Sequence, residues 1–338
     1  MVATRASTGS RDQDGWHVRP AGKQDVSLPL PIEGALDLGP QSPSDTPFTA
    51  RMRRHQSWWR ANVLKLPYGC GPSASSKKRF GNMLDVAAGA AGKNFLTPEI
   101  FEVAERRLAE GKGTIEPFRL RHNLLSSQPM CFNLFGPLVR DAERATRLLR
   151  ALIGEDVARV RRVVIEWAPE PAAQYLGDRT AFDAMVEYER AAGGLVLVGI
   201  ETKLTDTFSQ TPYDGESYRR WMRSSRSPFR VGAGAEVAHP AHNQLWRNHL
   251  LAIALRDRAG SPYAEVRSAV VHHPLDAEGT SAVASYRRLL KPGDETSVTW
   301  TLGDIVAAFA SVADRDERPW LEALTIRYLS LDASAAAT

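Results

Sequence analysis

Cysteine is almost absent: Cys70 and Cys131 are the only two in 338 residues, far apart and in no ligand spacing. Neither a disulfide framework nor a cysteine zinc site is expected, and a reducing cytoplasm fits. Long apolar runs are missing as well. The longest, Leu195 to Ile200, falls far short of the roughly 20 residues of a spanning helix, and no charged-then-apolar leader opens the chain, so neither membrane insertion nor export is expected. A large excess of one charge is lacking too. With 43 basic and 39 acidic residues the net charge is +4, a mild bias toward polyanionic partners that does not demand one. No internal repeat is visible.

What is present is ordinary globular composition, 43% hydrophobic and 24% charged, enough for a sizeable core. Residues 1–48 are rich in Gly, Pro, Ser, Asp and Gln with scattered apolar residues, the composition of a disordered tail, and leave 49–338 as one domain. In Arg51 to Lys65, basic residues surround Trp58 and Trp59. That mixture can grip nucleic acid, but the plainer expectation is an amphipathic helix with tryptophans inward and cations facing water. Thr97-Pro98-Glu99 predicts a helix start, with Ile100, Val103, Ala104 and Leu108 at helical spacing and Gly111 as the stop. A second helix is expected over Val139 to Ile153. Three strand-like runs follow, Val160 to Trp167, Thr180 to Tyr188 and Leu195 to Lys203, then a helix from Ala241 to Arg258 and a strand from Val266 to Val271. The third and fourth strands alternate little, which predicts a sheet covered on both faces, an α/β sandwich. Helices near Leu302 to Val312 and Trp320 to Leu329 are expected to pack around it.

The second and third strands read as a hairpin turning through Arg190 to Gly194, where paired glycines give a tight turn its permissive backbone. Setting Glu189 opposite Leu195 places Glu187 opposite Leu197, Met185 opposite Gly199 and Asp183 opposite Glu201, with Lys203 on the same face. Opposed β-carbons lie about 4.5 to 5.5 Å apart, and like charges there destabilise a sheet unless something neutralises them. Hard carboxylate oxygens suit Mg²⁺ or Mn²⁺, which take further ligands from water and phosphate. A lysine beside such a centre can orient or deprotonate water, and phosphodiester hydrolysis is the matching chemistry. Glu-x-Lys alone is weak, since Glu110-Gly111-Lys112 repeats it at a helix end. The bland reading of Glu201 and Lys203 is a surface ion pair worth about 0 to 1 kcal/mol.

Asp183 followed by Glu201-Thr202-Lys203 after the run GLVLVGI resembles the PD-(D/E)XK nuclease superfamily. The likeness implies a restriction-endonuclease-like α/β/α core of helix, three strands, helix and strand, with a mixed sheet, over about 139–274, and added N- and C-terminal helices. The segments LLSSQPMCFNLFGPL and IETKLTDTFSQTPYDGESYRRW also look like a bacterial branch of such proteins. By this resemblance Asp183 and Glu201 bind metal with the Thr202 carbonyl as a further ligand, Lys203 is the catalytic lysine, and the activity is that of an (endo)deoxyribonuclease, the sequence leaving endonuclease and exonuclease action both open. Phe182 replaces the motif's proline. The acid that some members carry on the first core helix has Asp141 and Glu143 as candidates, though exposed helix charges explain both.

Several residues are candidates for support. Gln244 on the following helix is similar to a glutamine that many exonucleases of the superfamily place beside the active centre, with Arg247 and Asn248 next along; a solvated first turn explains them equally well. Ser126, Ser127, Gln128 and Asn133 stand before the first core helix, where capping is the simpler role. Arg219, Arg220, Arg223 and Arg226, with Arg230, gather beside Tyr218, Trp221 and Phe229 as phosphate-contacting residues would, although charge runs are more often just solvated. The expected partner is nucleic acid, DNA before RNA, with a homodimer compatible. Rival readings are an inactive nucleic-acid-binding protein of this fold, an RNA nuclease, and a zinc hydrolase using His239, His242, His249, His272 and His273, for which no HExxH spacing exists.

Overall fold

The computed structural model describes residues 37–209 and 211–335. Thr46 opens α1 (Pro47–Trp58) by accepting from the Thr49 amide at 3.3 Å, with proline in the first turn, and the helix ends in one π turn, Trp59–Val63. A small antiparallel pair, β1 (Tyr68–Cys70) and β2 (Arg79–Leu84), comes next. Four helices follow: α2 (Val86–Ala90), α3 (Pro98–Ala109), α4 (Pro117–His122) and α5 (Ser127–Phe135).

The central unit then runs α6 (Ala142–Ile153), β3 (Val157–Trp167), β4 (Phe182–Arg190), β5 (Leu195–Thr202), α7 (Glu216–Met222), α8 (Gly234–Ala238), α9 (Pro240–Asp257) and β6 (Tyr263–His272). After it come α10 (Ala277–Arg287), β7 (Ser297–Thr301), α11 (Leu302–Val312), α12 (Arg318–Tyr328) and α13 (Asp332–Ala335). One mixed sheet has the order β3-β4-β5-β6-β7, with β3, β4 and β5 antiparallel in turn and β6 and β7 parallel to β5.

The expected sandwich is present, and the lack of alternation has a direct cause. Val196, Val198 and Ile200 of β5 pack into one core with α5, α6, α11 and α12. Leu197 and Met185, on the opposite face, pack into a second core with α7 and α9. Both faces of the sheet are therefore dry, so β5 carries no polar side chain until Glu201 and Thr202 at its end.

Some boundaries differ from the sequence reading for local reasons. The first core helix starts at Ala142 rather than Val139, because Asp141 Oδ1 takes the Arg144 amide at 2.8 Å and caps it there. β7 was not anticipated; its five residues are too few for a clear period. Of the tail expected over 1–48, residues 1–36 lie outside the described residues, and the remainder is docked. The Pro40 carbonyl accepts from Gly81 N at 2.8 Å, and Asp45 pairs with Arg53 at 2.5 Å. Trp58 and Trp59 are buried as an anchor, but the basic residues of α1 and the π turn after it do not simply face water. Arg60, only 2% exposed, donates to the Gly81 carbonyl at 2.7 Å and to that of Asp37 at 2.7 Å.

Candidate active site

The β4–β5 hairpin has the counted register: Glu189 pairs with Leu195, Glu187 with Leu197, Met185 with Gly199 and Ala184 with Ile200. Gly193 and Gly194 make the turn at φ 86° and 94°, a backbone that other residues adopt only with strain. One step beyond the last pair stand Asp183 and Glu201. Asp183 is anchored by Thr202, whose amide and hydroxyl both donate to Asp183 Oδ2, at 2.7 and 2.8 Å. The Cys131 thiol donates to the Asp183 carbonyl at 3.3 Å.

Glu201 is gripped from α9. Gln244 Nε2 donates to its Oε1 and Asn248 Nδ2 to its Oε2, each at 2.6 Å, because positions 244 and 248 lie one above the other on the helix face turned to β5. Lys203 Nζ is 2.8 Å from Glu201 Oε1 and donates to Gln244 Oε1 at 3.2 Å. Glu201 and Lys203 are 5% and 7% exposed, which rules out a solvated surface pair. The amide of Ser209 donates to Gln244 Oε1 at 2.6 Å, so the chain leaving β5 closes over the same glutamine.

A third acid, not anticipated, completes the group. Glu166 on β3 is flanked by Ile165, paired with Ala184, and Trp167, paired with Phe182, so the register sets it beside Asp183. Its φ is +56°, a conformation costing a non-glycine residue on the order of 1 to 3 kcal/mol. Neighbours from other segments hold it: Thr114 N and Oγ1 donate to its Oε2 and Gln128 Nε2 to its Oε1, all at 3.3 Å, while Arg107 Nη2 donates to its carbonyl at 2.6 Å. A faint signal was available, since Glu166 ends an apolar strand as Glu201 does. The helix acids sought instead are elsewhere employed: Asp141 caps α6 and Glu143 is exposed.

The charges strain one another. Burial first, then the charges of Glu201 and Glu166, push the Asp183 carboxyl well above the usual range, although part of Asp183 still reaches solvent. Burial also raises Glu166, with Glu201 adding to the effect and the Thr114 and Gln128 bonds opposing it. For Lys203, burial pulls the ammonium pKa down, but Glu201 and Asp183 more than offset it and the net shift is upward. The lysine is a cation facing more negative charge than it can cancel.

This arrangement coincides with the result of family comparison: the PD-(D/E)XK nuclease superfamily matches residues 43–330, most of the chain. The chain belongs to that superfamily. No curated protein and no solved structure gives a match.

PD-(D/E)XK nucleases generally use divalent metal ions, and the donor chemistry here fits one. Glu166, Asp183 and Glu201 offer hard oxygens, and the Asp183 carboxyl is raised by burial and then by the charges of Glu201 and Glu166, both of which a bound cation would offset. The oxygens are aimed at hydrogen-bond donors rather than at a common point. Among the described residues no group of three His, Cys, Asp or Glu side chains is already set to ligate a metal. Glu201 would exchange donors on α9 for a cation, while Asp183 Oδ1, which accepts no hydrogen bond among the described residues, is already available.

The other residues singled out in this PD-(D/E)XK chain divide. Gln128 reaches Glu166, whereas Ser127 contributes its amide to Asp206 Oδ2 at 3.0 Å, tying the start of α5 to the loop after Lys203. Arg247 turns away from Glu201, donating to Thr180 Oγ1 at 3.1 Å and lying 3.9 Å from the Tyr213 ring centre. Arg219, Arg223 and Arg226 pair with Asp214, Glu216 and Asp257 at 2.9, 2.6 and 2.7 Å, and Arg220 stacks on Trp221. The five histidines are engaged separately. His239 caps α9, His242 meets Ser285, His249 lies between Tyr286 and Thr296, His272 bonds the His273 carbonyl, and His273 bonds that of Tyr328.

Proposed function

We propose that this chain hydrolyses phosphodiester bonds in DNA, with Mg²⁺ or Mn²⁺ held by Asp183, Glu201 and the Thr202 carbonyl. The observation that carries this reading is the buried Glu201–Lys203 pair at 2.8 Å, placed beside an Asp183 whose carboxyl is pushed up by burial and then by the charges of Glu201 and Glu166. When bound, the ion supplies Lewis-acid stabilisation of charge developing at the scissile phosphate.

The protein's own groups do the positioning. Gln244 and Asn248 fix the Glu201 carboxylate, and Thr202 fixes that of Asp183. Lys203 stays protonated beside Glu201, so its role is to orient the attacking water and donate to a phosphate oxygen rather than to remove a proton. Glu166 adds a third carboxylate next to Asp183 and extends the acidic floor under the substrate. A protein of this fold that binds without cutting would have little use for so much uncompensated buried charge.

The test is cleavage of supercoiled plasmid, linear duplex, single-stranded DNA and RNA in Mg²⁺, Mn²⁺, Ca²⁺ and EDTA. DNA should be cut in Mg²⁺ or Mn²⁺ and not in EDTA, and Glu201→Gln and Lys203→Ala should each lose at least about 100-fold in rate. DNA affinity of Lys203→Ala should stay within a few fold. An inert wild type, or wild-type turnover by Lys203→Ala, would remove this mechanism.

A further inference from the structure

A second site for nucleic acid lies away from the acids. Arg230, Arg287, Arg288 and Lys291 line one surface cavity of about 540 Å³ at the C-terminal end of α10. All four are exposed, and among the described residues none of the three arginines has an ion pair or side-chain hydrogen bond. The run at Arg219, Arg223 and Arg226 differs, since each of those is matched to a carboxylate. Two acids, Glu236 and Asp294, also line the cavity; Asp294 accepts from the Thr296 hydroxyl at 2.8 and 3.0 Å, and the Lys291 ammonium donates to the Ser227 carbonyl at 2.6 Å, so four cations stand against two carboxylates.

Cations at a helix C-terminus can simply offset the helix dipole, and that accounts for Arg287 and Arg288. It does not account for Arg230 and Lys291, which lie outside the helix and are held there by the backbone. Arg230 N donates to the Leu289 carbonyl at 3.0 Å, Lys291 N to that of Pro228 at 2.7 Å, and Phe229 bridges to Leu290. Phe229 and Leu290 are 4% and 5% exposed, so the platform is pinned to the core. Like charges are thereby brought together at a fixed place, in excess of the two carboxylates beside them.

The opposite end of α10 faces the active centre. A cavity of about 660 Å³ is lined by Lys203 together with Asp276, Gly279 and Ala282 of that end. From Gly279 to Arg287 the helix rises roughly 12 Å, which spans about three to four phosphates along one strand of B-form duplex.

We propose that the Arg230, Arg287, Arg288 and Lys291 cavity binds the phosphate backbone of the nucleic-acid substrate, about three to four nucleotides to one side of the phosphate held at Lys203. This rests on the nucleic-acid reading of the active site, but it is measured without turnover. The readout is anisotropy of a labelled 30-base-pair DNA in EDTA as a function of salt. Replacing Arg230, Arg287 and Arg288 by Ala should weaken binding at least tenfold and lower the slope of log K against log salt by roughly 2.7, about 0.9 for each phosphate no longer neutralised. The triple Lys variant should keep most of the slope. Arg219→Ala/Arg223→Ala should leave it unchanged, because those guanidiniums are already neutralised. A neutral methylphosphonate placed along one strand of the DNA should weaken wild-type binding most at one or two positions and have no such effect on the triple Ala variant. An unchanged slope in a triple Ala variant that melts like wild type overturns the assignment. So does displacement of the DNA by millimolar inorganic phosphate at fixed ionic strength, which marks a free-anion pocket. If the plasmid assay shows no cleavage while these binding results hold, the catalytic reading fails and the binding surface stands.

Discussion

Asp183 carries a charge that the metal-free fold tolerates poorly, so its isosteric neutral variant has an unusual expected signature. Burial, Glu201 and Glu166 together raise its carboxyl well above the usual range. Because the folded pKa lies above the unfolded one, the site opposes folding at neutral pH and the penalty fades as pH falls. Asp183→Asn keeps an acceptor for the Thr202 amide and hydroxyl. It should therefore melt in EDTA at or slightly above the wild-type temperature, unlike most substitutions at buried polar sites. Excess Mn²⁺ should reverse the order, since a cation binding only the folded wild type adds about 2.7 kcal/mol at 100 times its dissociation constant. Strong destabilisation in EDTA with an undiminished Mn²⁺ shift would make Asp183 structural. Asp183, Glu201 and Lys203 could be placed from sequence because a hairpin register is a matter of counting from its turn. Glu166 could not, since its approach depends on a left-handed backbone and on Thr114 and Gln128 from two other segments.

At the level of elements, the hairpin and α9 act as one device. Gly199 on β5 lies beneath the Phe182 ring, and a β-carbon there would fall 2.3 Å from a ring atom. Phe182, the residue that departs from the motif's proline, fills the space a side chain at 199 would need. Gly199→Ala should cost about 1 to 3 kcal/mol in denaturant unfolding, and Phe182→Leu should restore part of it; additive losses would show that the ring yields freely. On α9, Asn248→Ala removes one donor from a buried carboxylate and should cost about 1.5 to 3 kcal/mol. In a Glu201→Gln background the cost should shrink well below that, a non-additivity that a purely helical effect would not show. The long helix was legible from its proline start and apolar spacing, but its Asn248 contact was not, because periodicity tells which residues face the sheet and not which acid they meet. β7 escaped for want of length, and the start of α1 was hidden by the polar residues that dock it.

Across the whole molecule, acid should act mainly through buried histidines. Burial lowers His55 to about 4, His249 to about 3 and His273 to about 4. Folded values below the unfolded 6.5 mean that stability is full above about pH 6.5 and is lost as pH falls toward the folded values. Each histidine contributes a slope of roughly 1.4 kcal/mol per pH unit in that window, partly offset by relief at Asp183 and Glu166. Thermal melts in EDTA from pH 7.5 to 5 should fall steadily, and His249→Gln should fall less steeply; a flat profile would contradict the burial argument. The order of the sheet has a different consequence. Its border strand β3 is long, departs from regular register at two places, and carries Arg159, Arg161 and Arg162. Arg161 and Arg162 pair with Glu189 and Glu187 of β4, so a second copy meeting this border would find an interrupted ladder flanked by charged side chains that must be desolvated. Open-ended strand addition is thus disfavoured through that side, which leaves the five-residue β7 as the sheet's other border.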